Sequence, residues 1–282
     1  MKNSYKNIND NCSLFIMSCD SYSDIWSFLF DGINTYWPNC PYKIYLCTET
    51  KKSFDGHVET INVNYKSWGE RLIEGLKQVP TDYVFFLIDD LPPGEIVDQN
   101  VLDYCLNYLD SDKKISNIYV SSCMDENTKE LKVNIPYFDE KKRELTFNYR
   151  LNAAPAFWRK EKLIEFTKKT DSPWVWEVFG TIRIYKYKDK VLSLSKDLSY
   201  PYKVVCASGA IVKGKWNTLF VEKIKDRYLN FDFSVRGIAN ISDANRPLSF
   251  AEKIAFLYDG FVASGYGPFL YIVDYIKQKI KK

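Results

Sequence analysis

Short apolar runs alternate with helix-spaced apolar residues over the first 121 positions of the chain. Runs rich in strand-forming residues predict strands over 13–18, 42–48, 58–63, 83–88 and 118–121. Apolar residues three and four positions apart predict helices over 23–37, 68–78 and about 98–109. This alternation predicts an α/β fold with a mixed, mostly parallel sheet flanked by helices, and a ligand site at the carboxyl ends of the strands.

The pattern changes after residue 125. A polar stretch, 124–146, has an amphipathic interruption over 131–138 that suggests a hairpin or an excursion across the sheet. An apolar run predicts a strand over 147–158, and helical spacing follows over 159–169. Residues 182–194 and 200–212 are interpreted as strands of an antiparallel part. A long amphipathic helical stretch, 250–282, completes the sequence.

Length and composition indicate a globular protein of 282 residues, with one large domain or one domain with a helical appendage in preference to two equal domains. Hydrophobic residues make up 46% and aromatic residues 16%, well outside the range of disordered chains. The 39 basic and 36 acidic residues leave a net charge of only +3. This balance does not indicate general electrostatic capture of nucleic acid.

Cysteine and histidine usage excludes several kinds of site. The seven cysteines are odd in number and contain no C-x-x-C pair, which is typical of buried thiols in a reducing compartment. His57 is the single histidine, so most zinc sites and Ser-His-Asp catalysis are excluded. The polar N-terminal segment is no secretory signal, and no apolar run reaches the roughly 18 residues of a membrane span. We therefore expect a cytoplasmic protein.

Two adjacent carboxylates, Asp89 and Asp90, directly follow the apolar run 83–88. Two bare charges inside a buried strand would cost several kcal/mol each, so the pair is expected at the mouth of the strand. Carboxylates there are hard oxygen ligands of the kind that Mg²⁺ or Mn²⁺ prefers, and such an ion can bridge nucleotide phosphates. The alternative is a pair of solvated turn residues before Pro92. Asp20 follows the first predicted strand, so both acidic groups fall at strand ends.

With these pieces placed, the chain resembles the GT-A class of nucleotide-sugar glycosyltransferases, especially the bacterial enzymes that build capsule, lipopolysaccharide and related surface glycans. The resemblance covers roughly residues 13–216. It rests on SLFIMSCDSYSDIW at the first strand, WGERLIEGLKQVPTDYVFFLIDD before and at the acidic pair, and FNYRLNAAPAFWRKEKL followed by WVWE. The family pattern is usually D-x-D, whereas this chain has Ile88-Asp89-Asp90. We predict a GT-A-like catalytic domain over 1–245 and a C-terminal amphipathic helical extension over 246–282.

The resemblance gives roles to residues near the first strands. Asp90 is predicted as the principal ligand of a divalent cation, with Asp89 as a second ligand or a sugar-hydroxyl acceptor. Asp20 is predicted to accept from the nucleobase or ribose, or alternatively to cap the following helix. Tyr22 could stack on the base or simply pack on the surface. Arg71 could reach the diphosphate or be a solvated helix residue.

Later residues complete the predicted site. Glu177 is the candidate general base, because its aromatic neighbours could raise its pKa toward neutrality; the alternative is an exposed acid at a helix start. Asn152 lies in a segment that, by the resemblance, faces the donor sugar and acceptor, or else belongs to the core. Lys215 lies in GAIVKGKW, a late loop that could fold over the diphosphate; a solvated lysine is the alternative.

Residues 250–282 combine an apolar stripe with four lysines in the last six positions. Such a stretch could lie on an anionic membrane surface, or pack on the catalytic domain or another subunit.

The leading functional prediction is transfer of a sugar from a nucleotide donor, UDP-linked as the resemblance implies, to a surface glycan or lipid-linked acceptor. A nucleotidyltransferase and a non-catalytic carbohydrate-binding protein of the same fold are the alternatives. The predicted partners are therefore a nucleotide-sugar, a glycan acceptor, an anionic membrane and possible further copies of the chain, with Mn²⁺ or Mg²⁺ as cofactor. The predicted location is the cytoplasm, at the inner face of the membrane.

Overall fold

The computed structural model describes residues 7–121, 130–132, 138–141, 150–194, 200–239, 249–265, 267–269, 272–273 and 276. Within these ranges, nine strands form one sheet in the order β3-β2-β1-β4-β8-β5-β9-β7-β6, and three short strands form a second sheet in the order β10-β11-β12. The strands are β1 Cys12–Met17, β2 Lys43–Thr48, β3 Val58–Asn62, β4 Tyr83–Ile88, β5 Ile115–Tyr119, β6 Glu130–Lys132, β7 Phe138–Lys141, β8 Ala156–Arg159, β9 Lys190–Leu194, β10 Ile211–Val212, β11 Lys215–Asn217 and β12 Ile238–Ala239.

Helices connect these strands and flank the large sheet. They are α1 Trp26–Tyr36, α2 Trp68–Gln78, α3 Gln99–Ser111, α4 Lys160–Phe166, α5 Pro173–Val175, α6 Thr181–Arg183, α7 Thr218–Ile224 and α8 Phe250–Ser264. A π-helical turn, Trp176–Gly180, joins α5 to α6. Within the described ranges, no helix has the length and apolar character needed to cross a bilayer.

The large sheet is parallel on one side and mixed on the other. β1 pairs in parallel with both β2 and β4, and β3 continues the parallel set. β8 lies antiparallel between β4 and β5, while β9 is parallel to β5. The predicted α/β class with a mixed sheet and flanking helices is therefore confirmed.

Apolar residues on both faces of the sheet explain why its central strands are almost continuously hydrophobic. One face packs against α1 and α3 around Phe85 and Phe157. The opposite face packs against α2, α4 and the π turn around Phe86 and Trp158. A third cluster joins Phe28 of α1 to the small sheet and α7. These layers leave the carboxyl ends of β1, β2 and β4 at one edge.

Three predicted strands are shorter than expected, and part of one is helical. The prediction of a strand over 182–194 is wrong before residue 190, because 181–186 form α6 and a 3-10 turn. Ile182 and Ile184 imitate strand alternation, but Ile182 packs toward α8 and Ile184 toward the sheet. Of 200–212, only Ile211–Val212 form a strand, with one isolated bridge between Val204 and Pro93.

The predicted strand over 147–158 is reduced to Ala156–Arg159 in the described residues. Residues 150–155 are irregular because side chains bind their backbone. Thr181 Oγ1 accepts from Leu151 N–H at 3.0 Å, and Asn152 Oδ1 accepts from Ala154 N–H at 2.9 Å. The predicted excursion over 124–146 lies largely outside the described residues, although the described β6 and β7 pair antiparallel within it.

Helix α8 begins with a capping box between Ser249 and Glu252. Its buried residues Phe256 and Ala263 join a cluster with Val178 and Phe179 of the π turn. The helix therefore packs on the main body, as one of the sequence-based alternatives expected. The predicted domain boundary, between residues 245 and 246, lies outside the described residues.

Candidate active site

The parallel pairing of β1 and β4 brings Ser18 beside Asp89 at the end of the sheet. Asp89 N–H donates to Met17 O at 3.3 Å, and Ser18 Oγ donates to the Asp89 carboxylate. The Trp26 indole N–H in turn donates to Ser18 Oγ at 2.7 Å. Burial, and then the charge of Asp90, raise the pKa of Asp89 well above its ordinary value. Asp89 is therefore a positioned, buried carboxyl group, and the solvated-turn alternative is wrong for it.

Asp90 lies against the loop that precedes β10. Its backbone oxygen accepts from Ala210 N–H at 2.8 Å. Gly209 has a φ of +80°, and a Cβ at that position would lie 2.4 Å from Asp90 Oδ2. Burial raises the pKa of Asp90 to about 7; the charge of Glu177 also raises it, whereas the backbone N–H groups of Asp90 and Ile211 lower it.

One oxygen of the Asp90 carboxylate is available to bind a ligand. Its Oδ1 is buried and has no hydrogen-bond partner among the described residues, which is unusual for a buried oxygen. Within the same residues, no group of three or more candidate metal ligands is assembled. Mg²⁺ is commonly held by only one or two carboxylates together with substrate phosphates. The two adjacent acids fit that kind of donor set, with Asp90 better placed than the serine-bound Asp89.

Glu177 faces this corner from the π turn. Its Oε1 accepts from Ala153 N–H at 2.8 Å, and its charge acts on Asp90. The carboxylate is half-buried, so the alternative of an exposed helix-start acid is wrong. Thr181 Oγ1 also donates to Glu177 O at 2.6 Å and ties the turn to the next helix. π turns within helices frequently occur at functional sites.

Asn152 is buried beside the segment that meets Glu177. Its backbone N–H donates to the Tyr119 hydroxyl at 3.0 Å, and its side chain holds Ala154 N–H. Asn152 therefore shapes the loop whose Ala153 N–H binds Glu177.

Asp20 and Arg71 organise the neighbouring loop after β2. The Asp20 carboxylate accepts from Thr50 N–H at 3.1 Å and Lys51 N–H at 3.0 Å. Desolvation opposes ionisation of Asp20, but the bonds from Thr50 and Lys51 prevail and lower its pKa. The helix-capping alternative is wrong, because α1 begins at Trp26 without a side-chain cap.

Arg71 is buried rather than solvated, so that alternative is also wrong. Its Nη1 forms an ion pair with Glu49 Oε1 at 2.7 Å and donates to Tyr65 O at 3.2 Å. Glu49 Oε2 accepts from Asp20 N–H at 2.6 Å. Arg71 thus reaches the same sheet edge as the acids, but the structure commits its charge to Glu49.

Tyr22 is in contact with Arg236 and senses the charge of the acidic pair. Burial raises the pKa of Tyr22, and the charges of Asp90 and then Asp89 raise it further. The Arg236 guanidinium lies over the Tyr22 ring at 4.7 Å and forms an ion pair with Asp24 at 2.5 Å. Surface packing alone therefore does not describe Tyr22.

Arg236 supplies positive charge beside the acids. The bond to Asp24 first, and the charge of Asp89 to a lesser extent, raise the pKa of Arg236. Sequence reasoning missed this residue because it lies far beyond the acidic pair and belongs to no recognisable motif. Ser18 was missed for a different reason: a serine after a strand is common, and only the β1–β4 register reveals its partner.

Lys215 is exposed on β11, opposite Val212 in the β10–β11 hairpin. The turn between these strands has positive φ values at Lys213 (+50°) and Gly214 (+80°), as a tight type I′ turn requires. Arg236 Nη1 donates to Gly214 O at 3.4 Å. The hairpin is thereby connected to the Arg236 side of the site.

A separate cavity of about 180 Å³ lies between α1, α7 and the segment after Asp90. Its two long cationic side chains are already engaged: Lys223 Nζ donates to Val205 O at 2.7 Å, and Arg227 pairs with Asp31 at 2.6 Å. The cavity contains none of the acids described above. We therefore place the candidate site at the strand ends and not in this cavity.

Comparison with known proteins finds similar solved structures but no matching sequence family. No family model and no curated protein matches the chain. Staphylococcus aureus TarS 1-349 in complex with UDP-GlcNAc is 14% identical over 90% of this chain and 73% of that chain, with a TM-score of 0.42. A cytidylyltransferase from Leptospira borgpetersenii is 11% identical over 85% of this chain and 99% of that chain, with a TM-score of 0.40.

Proposed function

We propose that this protein is a glycosyltransferase that moves a sugar from a nucleotide-sugar donor, UDP-linked by preference, to a surface glycan or its lipid-linked precursor. The observation that carries the proposal is the Asp90 carboxylate at the end of β4. It has a buried oxygen without a hydrogen-bond partner among the described residues, beside a second buried acid. A cation that also binds a diphosphate would satisfy that oxygen.

Loss of the diphosphate is the step that this corner is suited to assist. A divalent cation, when bound, supplies positive charge to the leaving diphosphate. Asp90 would hold the cation directly. Asp89, which is positioned by Ser18, would lie behind Asp90. Arg236 is held by Asp24 and by the Tyr22 ring, and the charge of Asp89 acts on it.

Glu177 is proposed to accept the proton of the acceptor hydroxyl. Its carboxylate is oriented by the Ala153 N–H, so it enters the site in a defined direction. As the hydroxyl oxygen bonds to the anomeric carbon, the bond from that carbon to the diphosphate breaks and its electron pair leaves with the diphosphate. Positioned proton transfer of this kind is typically worth about 10²–10⁴ in rate.

The nucleotide is proposed to lie along the ends of β1 and β2. Tyr22 offers an aromatic face there, and Asp20 holds the loop after β2 in place through Thr50 and Lys51. Lys215, on the hairpin attached to Arg236, is proposed to approach the diphosphate from outside. A cytoplasmic location, with the acceptor presented at a membrane, completes the proposal.

The direct test compares two reactions of the purified protein. Hydrolysis of a panel of UDP-sugars is measured with Mn²⁺, with Mg²⁺ and with a chelator, using the Asp90→Asn variant as the matched control. Metal-stimulated release of UDP that is lost in the variant supports the proposal. Release of pyrophosphate from a nucleoside triphosphate and a sugar phosphate would instead identify a nucleotidyltransferase. Neither activity, together with glycan binding, would favour a non-catalytic role.

A further inference from the structure

One exposed tryptophan lies in a groove between α5 and α8. Six of the seven tryptophans are buried or half-buried, whereas Trp174 is 43% exposed. The Trp174 ring stacks on Phe256, with centroids 4.0 Å apart and an interplanar angle of 22°, so one side of the indole is covered and held in place. Concave sites lined by aromatic side chains are the usual binding sites for small molecules. The indole therefore offers a fixed apolar surface to a ligand in the groove.

The two walls of the groove are held together by a buried ion pair. Arg183 Nη2 pairs at 2.6 Å with Asp171, which directly precedes Ser172 in one wall. Arg183 Nη1 also donates to Ala263 O of α8, which forms the other wall, at 3.2 Å. The groove is therefore formed before any ligand binds.

The size of the groove limits what it can hold. Its volume is about 240 Å³. Sites that enclose a drug-sized ligand usually have roughly 300–1,000 Å³. The groove is therefore suited to a single small ring and not to a whole nucleotide.

The polar side chains of the groove include acceptors and a donor. Asp259 makes no hydrogen bond or ion pair within the described residues, so its carboxylate is available to accept from a ligand. Ser172 Oγ accepts from Val175 N–H at 3.3 Å, and its own proton can be donated to a ligand. Glu252, whose Oε2 accepts from Ser249 N–H at 2.7 Å, adds a second negative charge. The described residues that line the groove include no lysine or arginine, so phosphates and other anions are repelled.

We propose that this groove binds one uncharged sugar ring, which lies on the Trp174 indole and donates a hydroxyl proton to Asp259. The carbon-bound hydrogens of a pyranose form an apolar face, and its burial against the indole is favourable. Sugar hydroxyls both donate and accept, which matches the Asp259 carboxylate and the Ser172 hydroxyl. A cation could also lie on an indole beside two acids, but it would offer no acceptor to Ser172.

The position of the groove indicates which sugar it holds. Trp174 and Glu177 belong to one continuous helical run and are three residues apart. Side chains at that spacing are neighbours on a helix surface, with Cβ atoms about 5–6 Å apart. The bound ring is therefore assigned to the acceptor glycan, next to the unit whose hydroxyl Glu177 deprotonates. That assignment rests on the proposed function, whereas sugar binding by the groove does not.

The test is saturation-transfer NMR on the full chain, without nucleotide or metal. The probes are methyl glycosides of neutral hexoses, deoxyhexoses and N-acetylhexosamines, and choline serves as the cationic probe. Asp259→Ala removes the acceptor without breaking a bond in the described part of the chain, and Asp226→Ala is its matched control, because Asp226 is an exposed acid that lies after α7. Trp174→Leu removes the aromatic ring but keeps an apolar contact with Phe256. Trp174→Tyr keeps an aromatic ring.

We expect the parent and Asp226→Ala to bind at least one of the neutral glycosides. Asp259→Ala should bind that glycoside at least about tenfold more weakly, because a hydrogen bond to a charged group is lost. Trp174→Leu should bind it about three- to tenfold more weakly, whereas Trp174→Tyr should retain most of the affinity. No binding of any glycoside by the parent, or unchanged affinity in Asp259→Ala and Trp174→Leu, would overturn the proposal. Binding of choline in place of the glycosides would also overturn it and would identify a cation site.

The NMR measurement uses no sugar donor, so its outcome is independent of the glycosyltransferase activity. Glycoside binding by a protein that turns over no UDP-sugar would support the sugar site and contradict the proposed function. Turnover of a UDP-sugar without glycoside binding would support the proposed function and overturn the sugar site.

Discussion

The contact between Gly209 and Asp90 gives a prediction that needs no knowledge of the substrate. Gly209 and Gly214 both have a φ of +80°, but only Gly209 has a close neighbour: an added Cβ would lie 2.4 Å from Asp90 Oδ2, whereas nothing lies within 4 Å at Gly214. The two positions therefore share the same backbone strain and differ in the contact. Comparison of their alanine variants isolates the contact with the candidate metal ligand.

The expected loss of stability in each variant follows from the backbone strain and, for Gly209 alone, from the contact with Asp90. A side chain in the left-handed region costs about 1–2 kcal/mol, so Gly214→Ala should lower the free energy of unfolding by about that amount. Gly209→Ala should cost the same plus about 1–3 kcal/mol, because the loop or the carboxylate must move by about 1 Å to make room. The additional cost should disappear in an Asp90→Ala background, which removes the carboxylate.

Urea denaturation followed by tryptophan fluorescence measures all the required values on five proteins: the parent, the three single variants and the double variant. Equal costs for Gly209→Ala and Gly214→Ala would show that Gly209 is not in close contact with Asp90. So would a cost of Gly209→Ala that stays the same after the Asp90 carboxylate is removed, because the loop would then not rest on it.

Three further predictions concern the acids and their neighbours. Asp90→Asn should abolish transfer. In chelator, the stability of the parent relative to this variant should fall as the pH rises from about 4 to about 7, because the Asp90 carboxyl ionises in the unfolded chain first and keeps its proton in the folded chain until its raised pKa of about 7. Urea denaturation at both ends of this range should show a change in relative stability of at most about 4 kcal/mol. If the stability of the parent relative to the variant does not fall as the pH rises, the result would contradict the burial of this carboxyl. Glu177→Gln should lower the turnover number by roughly 100-fold or more with donor affinity retained, because only proton transfer is lost; equal losses in both, measured by steady-state kinetics and donor titration, would point to a structural role. Arg236→Lys should weaken turnover more than the matched surface change Arg227→Lys, since a lysine cannot keep both bonds to Asp24; identical kinetics for the two variants would remove Arg236 from the site.

The sequence was sufficient for the elements that are defined by local pattern. The strand that delivers Asp89 and Asp90 and the helix over 68–78 have the predicted bounds, because uninterrupted apolar runs and clear helical spacing leave little choice of conformation. The convergence of the first and fourth strands was also predictable from their alternation with helices.

Tertiary contacts decided the features that the sequence did not reveal. Ile182 and Ile184 alternate as in a strand, but they serve two different cores from a helical segment. Arg71 was a candidate for the diphosphate, and the structure pairs it with Glu49 in a loop whose path no local signal specifies. Arg236 reaches Tyr22 and Asp24 from a distant turn, so only the folded chain identifies it.

A crystal structure of the protein with UDP and Mn²⁺ would show whether Asp90 holds the cation, because manganese can be located by its anomalous signal. We predict one manganese peak at ligand distance from the Asp90 carboxylate, shared with the diphosphate of UDP, and the nucleotide along the ends of β1 and β2 beside Tyr22. Nucleotide bound instead in the cavity between α1 and α7, or manganese bound away from Asp90, would contradict it.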